Sequence, residues 1–183
     1  REALRWDYDP FEIPKTIYES WNCKNKGETA ENEWNLLLEK YKRDYPQDWE
    51  ELDRRVNHRL PDNWLKTIEN SLREISGDKK SEATRKSSQT VLNMISSSLP
   101  ELIGGSADLT GSNNTFSTSS KALNLNDYSG NYLFYGVREF GMSAIMNGIA
   151  LYGGNIPYGG TFLVFSDYAR NAVRMAALMK IRS

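Results

Sequence analysis

Apolar side chains recur at helical spacing through the first 80 residues and gather into short runs beyond them. Trp34, Leu37, Leu38, Tyr41 and Tyr45 fall at i, i+3, i+4, i+7 and i+11 between Gly27 and Pro46, which predicts an amphipathic helix with one apolar stripe. Trp49, Leu52 and Val56 predict a second helix between Pro46 and Pro61. Trp64, Leu65, Ile68, Leu72 and Ile75 predict a third, which Gly77 is expected to close as a left-handed cap. Two prolines within residues 9–14 predict an extended segment ahead of all three.

Beyond residue 80 the pattern alternates. Ser81 is expected to cap a helix through Ala83, Val91, Leu92 and Ile95 that stops near Pro100, and Glu101-Leu102-Ile103 then reads as a short buried strand running into Gly104-Gly105. After a Ser/Thr/Asn-rich loop over 106–126, Tyr132-Leu133-Phe134-Tyr135 predicts a second strand that turns at Gly136 into a helix over 137–152. Residues 161–165 predict a third strand, and Ser166-Asp167 the cap of a helix over 168–180. This alternation predicts an α/β fold, a parallel sheet with crossover helices, preceded by a helical arm. Three strands leave an uncovered edge and the chain starts without Met, so we expect an incomplete domain cut from a longer protein.

Composition sharpens the division. Of the first 80 residues 33 are charged, against 14 of the remaining 103, and all five tryptophans precede the change near Gly77. We therefore expect a helical arm over 1–80 and a globular piece over 81–183. The 27 residues from 140 to 166 carry no charge, but six glycines and Pro157 interrupt them, which predicts a buried helix and strand rather than a membrane span. With 23 Lys+Arg against 24 Asp+Glu, the chain is not built to neutralise nucleic acid or coat an anionic membrane. A lone Cys23 and a lone His58 exclude an intrachain disulfide framework and a Cys/His zinc cluster, and favour a reducing, cytoplasmic setting.

Ligands of such sheets gather outside the carboxyl ends of the strands. Three loops are expected there, over 104–114, 136–141 and 165–168. The first carries Asp108 among small residues, and the second carries Glu139 at the start of an uncharged helix, a dry setting in which a carboxyl can share a proton. The third holds Phe165 and Tyr168 one helical turn apart, and with Phe162 these aromatics read by default as core. Arg85 and Lys86 open a helix, where cations oppose the dipole, which hints at an anion partner. No phosphate-loop signature is present. Position and spacing name no reaction.

Three blocks do: Leu99-Pro100-Glu101-Leu102-Ile103-Gly104-Gly105-Ser106-Ala107-Asp108-Leu109, Tyr135-Gly136-Val137-Arg138-Glu139-Phe140-Gly141-Met142, and Tyr168-Ala169-Arg170-Asn171-Ala172-Val173-Arg174-Met175-Ala176-Ala177-Leu178-Met179-Lys180. In that order they resemble the transketolase family of thiamine-diphosphate enzymes, and Pro10-Phe11-Glu12-Ile13-Pro14 and Tyr45-Pro46 resemble its interdomain segment. The resemblance implies a thiamine-diphosphate-binding fold. Residues 1–80 would be the end of the diphosphate-binding domain and the helical linker, and 81–183 the first part of the pyrimidine-binding domain.

By the same resemblance, Glu139 takes the place of the glutamate that hydrogen-bonds the aminopyrimidine and promotes its imino form, general acid/base work done through the cofactor. Phe165 matches the aromatic residue that stacks on the pyrimidine, with Phe162 and Tyr168 completing the pocket. Asp108, followed by Leu109, matches an aspartate at the cofactor pocket across a homodimer interface. Arg85 and Ser112 match the residues that hold the sugar phosphate. The implied activity is ketol transfer between sugar phosphates in the pentose phosphate pathway. Dihydroxyacetone synthase is the nearest alternative, and a non-catalytic, transketolase-like subunit the alternative from another class. Phe134 stands where family members often have His. The Gly-Asp-Gly motif for the diphosphate and its Mg2+ (or Ca2+) does not occur in these 183 residues, nor do the family's active-site histidines, so this segment is expected to be inactive alone.

Overall fold

A computed structural model describes residues 1–77 and 81–182 and resolves two compact units, 1–50 and 51–183. The expected boundary at residues 80 and 81 abuts positions outside the described residues.

In the first unit a short 3-10 turn (Glu2–Leu4) precedes α1 (Lys15–Trp21), α2 (Lys24–Asp44) and the start of α3 (Pro46–Val56). The sequence pattern left out α1, a helix of seven residues with Ile17, Tyr18 and Trp21 on it, and began α2 after Gly27, through which the helix runs. Pro46 is the first residue of α3, where its missing N–H costs nothing. The α2 stripe is only half-buried: Leu38 and Tyr41 are partly covered, whereas Trp34, Leu37 and Tyr45 are more than half exposed.

In the second unit the rest of α3 leads to α4 (Trp64–Gly77) and α5 (Thr84–Ser96). Two expected caps are corrected. Gly77 is the last helical residue of α4 and not a left-handed cap, and α5 starts after Ala83, with no side-chain cap from Ser81. Strands β1 (Leu102–Ser106), β2 (Tyr132–Phe134) and β3 (Ile156–Gly160) form a parallel sheet in the order β2-β1-β3, with Gly104 opposite Tyr132 and Tyr158. Short helix α6 (Thr110–Asn113) follows β1, α7 (Glu139–Tyr152) follows β2, and α8 (Ser166–Met179) follows β3.

The third strand lies ahead of its expected place. Residues 161–165 form the connection into α8, with a 3-10 turn at Leu163–Phe165, and the strand is built from the Pro- and Gly-rich residues before them. Packing overrides propensity here. The Ile156 N–H donates to the Glu101 carbonyl, so Pro157, next in the alternation, points its nitrogen away from β1 and breaks no bond. Gly159 lies against Met142 and Met146 of α7, where a Cβ would collide with both sulfurs. The core on this face is Ala107, Tyr135 and Met142, with Leu133 and Met146 packed against it.

Candidate functional site at the carboxyl end of the sheet

Because the three strands are parallel, Ser106, Phe134 and Gly160 end at one edge, and three connections leave from it. In the first, Asp108 adopts a left-handed backbone (φ 60°) and is exposed, while Leu109 opens α6 and Ser112 lies exposed upon it. In the second, Gly136 (φ 68°) makes the sharp turn that sends the chain into α7, with Glu139 as its first residue. In the third come Phe162, Phe165 and Tyr168. The predicted residues of all three loops therefore share one end of the sheet. Arg85 is exposed at the start of α5, and among the described residues no hydrogen bond or ion pair joins it to Ser112 or Glu139.

Glu139 is 8 % exposed as a residue, and among the described residues nothing hydrogen-bonds its carboxylate, whose oxygens keep some accessible area. The carboxylate is thus free to take a partner supplied from elsewhere. Two hydroxyls at the same end are fully buried and unpartnered among the described residues, that of Tyr135 just after β2 and that of Thr161 just after β3. Burial pushes the Tyr135 phenol up to about 12, with Tyr158 and Tyr132 adding to the effect.

The aromatics are not core, which corrects the default expectation. Phe162 is 41 % and Tyr168 67 % exposed, with Phe165 half-buried between them. Phe162 stacks on Phe165 at 5.9 Å, and Phe165 meets Tyr168 at 6.2 Å, giving a ladder of rings. A partner-free carboxylate and an open aromatic ladder at one end of the sheet offer a hydrogen-bonding group and a stacking face.

Sequence reasoning missed the opposite edge. Arg54 (α3) spends all five of its guanidinium donors: two bonds to Glu101 at 2.7 and 2.9 Å, two to Glu51 at 2.8 Å, and one to the Arg59 carbonyl at 2.8 Å. Arg55 adds a 2.7 Å bond to Glu51. Burial opposes ionisation of Glu101, 4 % exposed, yet Arg54 holds its carboxyl below the usual range. The Arg54 hydrogen bonds foremost hold Glu51 at about 2. Beside this cluster a cavity of about 650 Å3 is lined by Arg55, His58, Arg59, Glu101 and Lys180, so His58 lies at the amino end, away from the residues predicted as a site. Arg54 and Glu101 are 47 positions apart, and no local signal joins them.

Comparison with known proteins agrees with this architecture. The family model described as "Transketolase, pyrimidine binding domain" matches residues 80–183, and "Transketolase, thiamine diphosphate binding domain" matches residues 1–61. The chain is 50% identical over 183 residues to Transketolase 2 of Vibrio parahaemolyticus, covering all of this chain and 28% of that protein. It is 52% identical over 182 residues to Transketolase 2 of Escherichia coli K12, covering 27% of that protein. The chain thus spans about a quarter of the length of the curated relatives it matches. Among solved structures, Pichia stipitis transketolase in complex with sedoheptulose-7-phosphate superposes with a TM-score of 0.82 at 40% identity, over 94% of this chain and 26% of that one. The Campylobacter jejuni transketolase gives 0.71 at 32% identity, over 95% and 25%. With the pyrimidine-binding model alone matching more than half of its residues, the chain belongs to the transketolase family.

Proposed function

We propose that this chain is the linker and pyrimidine-binding part of an enzyme that moves a two-carbon ketol unit reversibly from a ketose phosphate to an aldose phosphate, as in the non-oxidative pentose phosphate pathway. The division we propose is 1–80 for the end of the diphosphate-binding domain and the linker, and 81–183 for the start of the pyrimidine-binding domain. The observation that carries the reading is Glu139, a largely covered residue at the carboxyl end of the sheet whose carboxylate has no hydrogen-bond partner among the described residues. Among the described residues no cluster of His, Cys, Asp and Glu could hold a metal ion. We assign the diphosphate and its Mg2+ to parts of the parent outside this segment, which spans about a quarter of its relatives' length. Active homodimers, with a site shared between subunits, and a cytoplasmic location complete the proposal. No helix among the described residues is long and apolar enough to cross a membrane.

The residues present fit the pyrimidine half of thiamine diphosphate. When bound, that cofactor supplies the nucleophilic carbon at which the ketol unit is cleaved from one sugar and joined to the next. Glu139 would hydrogen-bond a ring nitrogen of the pyrimidine, from a side chain largely covered by its neighbours. Phe165, flanked by Phe162 and Tyr168, supplies the stacking face. Asp108 and Leu109 present the β1 turn toward the partner subunit's cofactor. Arg85 and Ser112 bind the sugar phosphate, Arg85 with the forked donors that suit a phosphate. The reading is tested in the full-length protein by Glu139→Gln, which keeps the shape of the side chain. Loss of turnover with cofactor still bound supports the assignment, and near-normal turnover refutes it.

A further inference from the structure

The turn that carries Asp108, Leu109 and Ser112 is held from beneath by a chain of hydrogen bonds that starts at a fully buried phenol. Tyr132 is 0% exposed, and its hydroxyl lies 2.8 Å from Thr110 Oγ1 and 2.7 Å from Thr115 Oγ1. Thr115 Oγ1 donates to Asn113 Oδ1 at 3.1 Å, and Asn113 Nδ2 donates to Ser106 Oγ at 3.0 Å. Ser106 Oγ, also 0% exposed, has two acceptors for its proton, the Gly160 carbonyl at 3.1 Å and Asn113 Oδ1 at 3.4 Å, and accepts the Leu109 N–H at 3.1 Å.

Each hydroxyl has a single proton, and either atom can be the donor in the contacts of Tyr132 with Thr110 and Thr115, so the direction of the chain follows from where Thr115 sends its proton. When Thr115 gives it to Asn113, it accepts from Tyr132. Tyr132 in that case gives its proton to Thr115 and accepts from Thr110. One sequence of donors then runs from Thr110 through Tyr132, Thr115, Asn113 and Ser106 to the end of β3. A second tyrosine reinforces it: Tyr158, packed over Gly104, donates to the Thr115 carbonyl at 3.0 Å. Ser112 lies between Thr110 and Asn113, both of them links of the chain, and itself projects exposed from α6.

We infer that Tyr132 is a positioning residue for phosphorylated substrate: its hydroxyl locks the ends of the α6 turn and thereby fixes Ser112. This rests on the phosphate-binding role proposed for Ser112. Removing the hydroxyl leaves Thr110 and Thr115 each without that partner, both in a part-buried setting where water replaces it poorly. The catalytic carboxylate, which follows β2 on a different connection, keeps its place.

The experiment uses the full-length enzyme with natural cofactor and Mg2+, assayed with phosphorylated sugars and with hydroxypyruvate as an unphosphorylated donor. Tyr132→Phe is expected to raise KM for phosphorylated sugars roughly tenfold, the effect of about one hydrogen bond, while kcat and the KM for hydroxypyruvate stay within about twofold. Thr115→Val, which breaks the next link, is expected to give the same selective change. Because Tyr132 acts through Ser112, the Tyr132→Phe/Ser112→Ala double variant is expected to be no worse than Ser112→Ala alone. If Ser112→Ala raises that KM and neither Tyr132→Phe nor Thr115→Val does, the inference falls and the phosphate role stands. Equal losses on both substrate types, or additive losses in the double variant, also overturn it. If Ser112→Ala leaves the phosphorylated KM unchanged, the phosphate role itself falls and takes the inference with it.

Discussion

The two ends of the sheet treat buried polar groups in opposite ways. At the amino end, Arg54 satisfies two carboxylates and a carbonyl with every donor it has. At the carboxyl end, the hydroxyls of Tyr135 and Thr161 are buried with no partner among the described residues, and the Glu139 carboxylate, on a residue 8 % exposed, has none there either. Folding explains the first end completely, since the cost of burying Glu101 is offset within the chain. The second end makes sense once something else supplies the missing partners. Saturated polar groups mark structure, and unsatisfied ones mark a place for a ligand or a second subunit.

Four substitutions or conditions separate the ends, and the largest effect belongs to the carboxylate. In the full-length enzyme Glu139→Ala is expected to lower kcat by on the order of 10²–10⁴-fold, the usual range for a lost proton partner, with the thermal midpoint of the apo protein held or raised. Steady-state kinetics alongside thermal unfolding check both halves. A stability loss without a kinetic loss would make Glu139 a structural group like Glu101.

Arg54→Met is expected to show the reverse pattern. It leaves Glu101 charged and unpaired, which costs about 3–5 kcal/mol of stability, whereas kcat of the protein that remains folded stays near normal. Denaturant unfolding measures this. The Arg54→Met/Glu101→Met pair is expected to recover much of the loss, because no unpaired charge is left behind.

Arg85→Ala is expected to raise KM for phosphorylated sugars roughly 10-fold to 150-fold and to spare hydroxypyruvate, the effect of one charge-assisted hydrogen bond. Equal effects on both substrate types would remove Arg85 from the phosphate site.

The smallest effect is on acid stability. Glu51 is held at about 2 against an ordinary 4.5, foremost by hydrogen bonds from Arg54. A lowered folded value stabilises above the unfolded one and is lost as the pH falls through the folded one. The contribution of Glu51 is therefore complete above about 4.5 and fades toward 2. Thermal midpoints across that window are expected to fall more steeply for the wild type than for Glu51→Gln, and parallel curves would contradict the amino-end account.

The sequence revealed most where period and burial agree. The apolar residues around Leu102 and Tyr132 announced β1 and β2, and the turn at Gly136 placed Glu139 at a helix start. It misled where tertiary packing sets the residue type. Gly159 serves the methionines of α7 and Pro157 keeps its nitrogen off the ladder, so β3 looks like a loop. Residues 162–164 look like a strand but are exposed, and the aromatics there form an open ladder. The Arg54 cluster and the Tyr132 chain join residues far apart in sequence, through contacts that exist only once the sheet has formed. Strand-end and helix-start positions already singled out Asp108, Glu139, Phe165, Tyr168 and Arg85, whereas their roles, and Ser112 and Leu109, came from the family resemblance.

The most direct test is a crystal structure of the full-length protein with thiamine diphosphate and Mg2+. The account predicts a Glu139 carboxylate oxygen within about 2.6–3.2 Å of an aminopyrimidine nitrogen, with Phe165 against the face of that ring. A cofactor bound elsewhere, or a Glu139 carboxylate satisfied by protein groups alone, would contradict it.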